Sequence, residues 1–446
     1  MTPPNRREFL KSSMATASLV AAPAIRTTRK TSEAYSTALI GAGWWGTNIV
    51  REAIRSGHCK VTAICDVDRK QAEICRDEIV KLGRDEPKIY RDYKELLDQQ
   101  KPEIAIVATP DHWHPLITID AVKAGAHVYV EKPIGHTINE GRAMVQAARQ
   151  TNKVVQVGTH RRVSPHNMEG MKFLKSGKAG KIGMVRAFVH YGGGPEEPEA
   201  NQAPPETLDW NLWCGPGPLR PFNPKIHPKG FRNFLDYANG TLGDWGIHWM
   251  DQILWWTDEL APRKVFTSGG RPIAGPALND GNRQTSDAPD HQVTTFEFEG
   301  FTATWEHRKF AGNSAEKTHP DQAVGCYFYG TEGTFHMGWL DGWTFYPADP
   351  KKAPLHMDAQ LNLPDDQNIA GLWVDFLDAI KTGRRSVCDI EIGHRSTTMA
   401  LLGMLALKVD RAVSWDATKQ QIIDDPNANA LLSREYRGPW TYPWPA

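Results

Sequence analysis

Between Ser36 and Gly158 short apolar runs alternate with segments whose apolar residues recur every three to four positions. "TALIGAG" (37–43), "KVTAICDVD" (60–68), "EIAIVATP" (103–110), "HVYVEKP" (127–133) and "KVVQVG" (153–158) read as buried strands bounded by Gly, Pro or Asp. "TNIVREAIRSG" (47–57), "RKQAEICRDEIVKLG" (69–83), "HPLITIDAVKAG" (114–125) and "NEGRAMVQAARQTN" (139–152) have helical spacing, and the first two stop at a glycine. Repeated strand–helix–strand units predict an α/β fold with a doubly wound parallel sheet. Further on, the stretch at 191–230 carries too much Pro and Gly for long regular elements, and it either walls a pocket or wraps the surface. "EIGHRSTTMALLGMLALKVDR" (391–411) reads as a late helix packing back on the body.

The first predicted strand runs into Gly41-x-Gly43-x-x-Gly46, and a helix follows. Gly41 permits a tight turn, Gly43 keeps side-chain bulk away from a pyrophosphate, and Gly46 lets helix and strand pack closely. The helix N-terminus then presents N–H groups and the positive end of its dipole to the anion. Asp66 ends the second strand, 20 residues after Gly46, where an acid accepts hydrogen bonds from the adenosine ribose. A carboxylate there repels a 2′-phosphate, which favours NAD over NADP. Ligands of such sheets sit at the carboxyl ends of the strands, so "ATPDHWH" (108–114) and "EKP" (131–133) face the same crevice. The cofactor set is then Gly41, Ala42, Gly43, Trp44, Trp45 and Gly46, with Asp66, Thr109, Pro110, His114, Glu131 and Lys132. Lys132 stands where the nicotinamide end is expected.

These motifs, with "VGTHRR" and Pro165, "GKAGKIG" at 177–183 and "GTLGDWGIHWMD" at 240–251, appear in one order along the chain. In that order the sequence resembles the Gfo/Idh/MocA family, the glucose–fructose oxidoreductase and inositol dehydrogenase group, from about Thr37 onward. The resemblance implies a second, α+β domain with an open, mostly antiparallel sheet whose face covers the nicotinamide. "GMVRAFVHY", "HQVTTFEFEG", "FTATWEHR" and "AVGCYFYGTEGTF" suit its strands. The implied organisation is a leader and tail at 1–35, a dinucleotide-binding domain at 36–158, and a substrate and oligomerisation domain at 159–446. The resemblance also implies that the catalytic lysine is Lys132 and that Asp244 and His248 form the Asp-x-x-x-His pair. Residues 244 and 248 are i, i+4 on one face of a predicted helix, so Asp244 is expected to orient His248. The residues alone fit equally well an acid favouring the helix dipole beside a packed histidine. Asp251 is expected on the surface of the same helix. Arg161 and Arg162, with His160 and Tyr237, are candidate substrate-binding groups.

Composition changes this picture little. The 446 residues carry 52 Lys+Arg and 52 Asp+Glu, so no net charge draws the chain to nucleic acid or an anionic membrane. Sixteen tryptophans cluster in stretches such as "DWNLW" and "DWGIHWMDQILWW", as core or as faces for sugar rings. The six cysteines have no CxxC spacing, and they read as small buried apolar side chains. His112, His114, His160 and His166 lack metal-ligand spacing such as HExxH, so no metal is expected. No span of the membrane is expected, and the resemblance implies a homo-oligomer formed through the open sheet.

The N-terminus adds an address. Arg6-Arg7 lie within "NRREFLK", an apolar run follows from Met14 to Ala22, and Ala22-Pro23-Ala24 resembles a cleavage site. This is the pattern of a Tat-type signal, which exports folded proteins, and it predicts a periplasmic or extracellular location. Outside the cytoplasm no free dinucleotide pool exists, so a bound cofactor must be regenerated in place. Two activities meet that demand. One is a sugar or polyol oxidoreductase with tightly held cofactor, in which His248 or Lys132 takes the hydroxyl proton. The other is a redox-neutral, NAD-dependent glycosidase with His248, His160 and Tyr237 as candidate bases. A non-catalytic carbohydrate-binding protein is a third reading, against which Lys132, Asp244 and His248 together argue.

Overall fold

The computed structural model describes residues 34–83, 85–312, 323–362 and 367–444. The Arg6-Arg7 pair and the apolar run after it lie outside the described residues. The first sheet contains β1 (Tyr35–Ile40), β2 (Cys59–Cys65), β3 (Lys88–Tyr90), β4 (Ile104–Val107), β5 (His127–Val130) and β6 (Val155–Val157). Its order is β3-β2-β1-β4-β5-β6 and every neighbouring pair is parallel. The strands between them are joined by α1 (Trp44–Arg55), α2 (Arg69–Gly83), α3 (Tyr93–Gln100), α4 (His114–Lys123) and α5 (Ile138–Thr151). Continuous apolar runs such as Ile104–Val107, buried at every position, are what a sheet covered on both faces requires. The order reverses between β1 and β4, and the crevice at that switch point receives the ends of both strands.

After α6 (Pro165–Lys175) the chain forms β7 (Ile182–His190), β8 (Glu199–Ala200), α7 (Trp210–Cys214) and α8 (Ile247–Thr257). Next come β9 (Lys264–Gly270), β10 (Arg283–Gln284), β11 (His291–Glu297), β12 (Thr302–Arg308), β13 (Val324–Gly330), β14 (Gly333–Gly338), β15 (Trp343–Pro347) and β16 (Leu355–Met357). The last elements are α9 (Ile369–Thr382), α10 (Ile390–Val409), β17 (Val413–Asp416), β18 (Gln421–Ile422) and α11 (Pro426–Ala430). Ten strands make one sheet in the order β16-β15-β14-β13-β7-β12-β11-β9-β17-β18. All its pairs are antiparallel except β7 with β12. The expected second sheet is therefore present. Trp249, Met250 and Ile253 of α8 and Met399 and Leu402 of α10 share one apolar core with Val185, Trp305 and Phe328 of the strands.

The helix α9 does not join that core. Its Ile369, Leu372, Trp373 and Phe376 pack with Leu39, Ile64 and Ile106 of the first sheet, and Trp373 stacks on Tyr129 at 5.6 Å. Thus a helix from far beyond residue 158 closes one face of the dinucleotide-binding half. Asp251, expected on a helix surface, is instead buried between layers. Its carboxylate accepts from Arg162 Nε at 2.8 Å and from Ser396 Oγ at 2.7 Å, which ties the turn after β6, α8 and α10 together. All six cysteines are buried.

Candidate active site at the strand ends

The glycine turn is built as the spacing demands. Gly41 has φ +96, and a Cβ there would lie 2.6 Å from the Ala108 backbone. At Gly46 a Cβ would lie 2.0 Å from the Gly41 carbonyl, so α1 approaches β1 as closely as glycine alone permits. Gly43 has nothing within 4 Å of where its Cβ would stand, which leaves the turn open to a ligand. Each oxygen of the Asp66 carboxylate takes a backbone N–H, from Ala42 at 2.7 Å and from Asp68 at 2.9 Å. Burial still outweighs these bonds and lifts the Asp66 pKa to about 6. Thr109 Oγ1 is buried at the end of β4 without a hydrogen-bond partner among the described residues. An open glycine cradle, an acid at the end of β2 and an orphan hydroxyl facing the switch point fit a dinucleotide. Trp44 is 71% exposed beside the turn, and the Trp45 indole hydrogen-bonds the buried Glu131 carboxylate.

His114 and Pro110 hold shape. The His114 ring lies between the carbonyls of Pro133, at 2.7 Å, and Thr109, at 2.8 Å, and its single N–H donates to one of them, which links the end of β4 to the turn after β5. Both ring nitrogens face backbone carbonyls, so His114 fixes backbone at this end of the sheet. Trp113 N–H closes on the Pro110 carbonyl at 3.0 Å to start the one-turn 3-10 helix Asp111–Trp113.

Lys132, just past β5, meets Asp244. Its Nζ donates to Asp244 Oδ1 at 2.8 Å and to the Asp244 carbonyl at 3.1 Å. Asp244 sits in a π-helical turn, Leu242–Gly246, that precedes α8. The expectation that Asp244 orients His248 assumed α-helical spacing. The carboxylate is instead taken by Lys132, and a second cation, Arg232, completes the cluster at 2.8 Å. Burial alone would raise the Asp244 pKa, but Arg232 and Lys132 outweigh it and hold it at about 2. With its Nζ on a carboxylate, Lys132 is a hydrogen-bond donor in this geometry.

His248, on the first turn of α8, lies edge-on to His160 at 5.5 Å, and Trp339 from the β14–β15 hairpin sits 4.9 Å from the His248 ring. Arg161 is buried with its guanidinium 3.8 Å over the Trp339 ring. Burial, and then Lys132, Arg161 and Arg232, push the His248 imidazole well below its usual range, so it is neutral. His160 is lowered in the same way, by burial first and then by Arg161, and neither of its ring nitrogens has a hydrogen-bond partner among the described residues. The site thus holds two neutral imidazoles ringed by cations.

Two candidates leave the site. Tyr237 is fully buried, and its hydroxyl donates to the Pro218 carbonyl at 2.8 Å, so it is not a base available to a ligand. Arg162 is committed to Asp251 and is a structural ion pair. In their place stand three groups that sequence reading passed over: Arg232, Asp111 and Trp339. Asp111 occurs within the quoted "ATPDHWH", and an acid directly after a strand-end Pro was its signal. Arg232 and Trp339 had none, because loops and a hairpin deliver them.

The Pro- and Gly-rich stretch walls this site. Asp209 N–H bonds the Val67 carbonyl at 2.9 Å and Arg69 N–H bonds the Thr207 carbonyl at 3.0 Å, directly after Asp66. The Trp213 carbonyl meets His112 Nε2 and Trp113 Nε1, each at 3.0 Å. Trp210 and Trp213 stack at 4.6 Å and anchor a small apolar cluster with Phe222, Phe234 and Tyr237. The segment then brings Arg232 to Asp244. It arches from the Asp66 end of the first sheet to the Lys132 end.

A family model described as an oxidoreductase family with an NAD-binding Rossmann fold matches residues 35–159. The C-terminal alpha/beta domain model of that oxidoreductase family matches residues 174–269 and 348–442. Glycosyl hydrolase family 109 protein 2 of Shewanella sp. strain ANA-3 is 32% identical over 172 residues, 33% of this chain and 38% of that protein. The match to this curated relative therefore spans about two fifths of its length. Among solved structures, an oxidoreductase domain protein from Kribbella flavida is similar at TM-score 0.66 and 21% identity, covering 88% of this chain and 100% of that one. A levoglucosan dehydrogenase in complex with NADH and levoglucosan is similar at TM-score 0.65 and 18% identity, covering 86% and 99%. At these identities the solved structures speak for the fold.

Proposed function

The chain belongs to the Gfo/Idh/MocA oxidoreductase family, and from that premise we propose that it oxidises a ring carbon of a sugar or polyol with a dinucleotide it does not release. The observation that carries this reading is the Lys132–Asp244–Arg232 cluster at the strand ends of a sheet whose glycine turn is open to a pyrophosphate. Gly41, Gly43 and Gly46 would hold the pyrophosphate, Asp66 the adenosine ribose, and Thr109 and Glu131 the far end. The bound dinucleotide supplies the hydride acceptor. Lys132, held in place by Asp244, donates a hydrogen bond to the substrate oxygen and stabilises the negative charge that grows there. His248 and His160, both neutral, hydrogen-bond neighbouring ring hydroxyls, and the Trp339 indole offers a face to the ring C–H groups. Asp66 favours NAD over NADP.

Retention of the cofactor is supported by the arch from Val67 to Arg232, which spans the length over which a dinucleotide would lie. Retention also suits the Tat-type pattern at Arg6-Arg7, since we propose that the protein works outside the cytoplasm. A second reading, redox-neutral glycoside cleavage, is favoured by the curated relative named as a glycosyl hydrolase. Purified protein, with no dinucleotide added, is examined for nicotinamide absorbance and fluorescence and then given free sugars or aryl glycosides. Reduced cofactor accumulating on a free sugar supports the oxidoreductase. Aryl glycoside hydrolysis without net cofactor change supports the second reading. Protein that neither carries nor binds NAD(H) removes both.

A further inference from the structure

One cation beside His248 is buried with nothing to hold. Arg161 is 1% exposed, and its Nε and Nη2 have no hydrogen-bond partner among the described residues. Its Nη1 lies 3.4 Å from His166 Nε2, but that nitrogen is not free to accept. Burial holds His166 neutral, and its Nδ1 already accepts the Gln360 N–H at 3.1 Å, so its one proton sits on Nε2. No acid among the described residues bonds the guanidinium. Asp341 acts on it from the β14–β15 hairpin, but that carboxylate packs against Gly338 of its own hairpin, and its Oδ1 also lacks a partner. Burial lowers the Arg161 pKa to about 9, which leaves it a cation at neutral pH.

The unpartnered atoms gather in one place. His160, the preceding residue, has two orphan ring nitrogens and lies edge-on to His248 at 5.5 Å. The Trp339 ring closes the group, 3.8 Å from the guanidinium, 4.9 Å from His248 and 5.7 Å from His160. His248, 6% exposed, and the half-buried Trp339 are the members that reach solvent, so the orphan donors stand behind the two rings that front the crevice. Buried polar groups without partners are rare in native proteins, and a buried unpaired charge rarer still. The charge around this group is also one-sided. Lys132, Arg161 and Arg232 all act on His248, while Asp244 is the acid held ionised among them. Lys309, half-buried and close enough to feel Asp244, donates to Asn233 Oδ1 at 2.5 Å and has no ion pair among the described residues.

We propose that the substrate is an acidic sugar, a uronic acid or a sugar acid like it, and that Arg161 binds its carboxylate. This rests on the reading of the site as a carbohydrate oxidoreductase and names the class of carbohydrate. Water or sugar hydroxyls at the orphan positions would satisfy the N–H groups and leave the buried charge uncompensated, whereas a carboxylate answers both needs. The two orphan nitrogens also set the shape of the ligand. Nε and Nη2 form one edge of the guanidinium, and their N–H bonds run parallel at the spacing of the two carboxylate oxygens. The stack on Trp339 fixes the position of that fork.

The test uses the full chain with its bound dinucleotide. Glucuronate and galacturonate are each compared with their uncharged amides, by equilibrium dialysis and by reduction of the bound cofactor. Wild type is expected to bind and use the better acid about 10–10²-fold more effectively than its amide, the worth of hydrogen bonds to a charged group. Arg161→Gln keeps its cofactor content and loses that preference, while Arg161→Lys, which keeps the charge without the fork, retains part of it. A merely structural role for Arg161 would weaken acid and amide alike. Asp341→Asn leaves the preference in place. Equal binding of acid and amide by wild type overturns the proposal and needs no variant to fold. So does a preference that survives in Arg161→Gln. Glucose 6-sulfate and glucose 6-phosphate bind more weakly than the uronate, and equal or tighter binding of either overturns the assignment to a carboxylate. If wild type reduces no bound cofactor on acidic or neutral sugars, the oxidoreductase reading fails, and the dialysis comparison still decides whether Arg161 binds a carboxylate.

Discussion

Lys132 Nζ is held by the carboxylate and the backbone carbonyl of one residue, Asp244, at 2.8 and 3.1 Å, although 112 positions separate the two in sequence. A double hold of this kind fixes the ammonium's direction as well as its charge.

Replacing Lys132 by Met keeps most of the side chain's length and removes the donor. The expected result is a loss of about 10²–10³-fold in single-turnover reduction of the bound dinucleotide, the cost of removing one preorganised donor. Cofactor content, read by absorbance, stays at the wild-type level. A rate within twofold of wild type would remove Lys132 from the reacting centre.

Asp111 makes stability depend on pH in the opposite sense to most acids. Its ordinary carboxyl pKa of 3.8 is raised to about 7 in the folded protein. Between those values the folded state binds a proton that the unfolded state has released. Stability from this group is therefore present at low pH and falls as pH rises toward 7. Asp111→Asn cannot titrate, so its stability relative to wild type improves by about 2–4 kcal/mol between pH 4 and pH 8. Denaturant midpoints measured at both pH values check this, and a constant difference would show that the carboxyl is not shifted.

Much of this arrangement can be read from the chain, and the rest is hidden for physical reasons. The first sheet announces itself because continuous apolar runs and glycine stops are local signals, and Gly41, Gly43, Gly46 and Asp66 stand where that pattern puts them. Lys132 follows from its place at a strand end. The pairing of Asp244 with Lys132 and Arg232 is not legible in "GTLGDWGIHWMD", because both partners come from segments far away in sequence. Arg232 is invisible for another reason. It lies just past a stretch with no periodicity, and its partner is set by how that stretch docks on Trp113 and Val67. The helix Ile369–Thr382 has a clear apolar stripe, yet nothing in the stripe says which of two sheets it will cover.

The Arg162–Asp251 pair supplies a purely structural comparison. Asp251 is 1% exposed and also accepts from Ser396. Asp251→Ala strands a guanidinium among packed helices and is expected to lower stability by about 3–5 kcal/mol. Replacing both partners by apolar residues of similar size recovers most of it. Denaturant unfolding of the two variants checks the pair, and equal losses in both would mean that packing, not charge, is what Asp251 provides.

Tyr237→Phe tests a residue that the structure removes from the chemistry. It deletes the bond to the Pro218 carbonyl at the foot of the arch. About 1 kcal/mol of stability should be lost and the turnover number should not change. A large fall in turnover at unchanged stability would return Tyr237 to the active site.

The strands β7 and β12 lie side by side and parallel, with Thr302 opposite Met184 and Arg308 opposite His190. The arch, the π turn and α8 all belong to the long connection between these two strands. Such a pair has no hairpin to nucleate it and must wait for the whole intervening chain. Asp244, which meets Lys132, therefore lies in a connection pinned at both ends by two neighbouring strands, so a disturbance of that strand pair reaches the site. A chain interrupted before Thr302 would carry all six strands of the first sheet and its glycine turn, and would lack the helix that covers one of their faces.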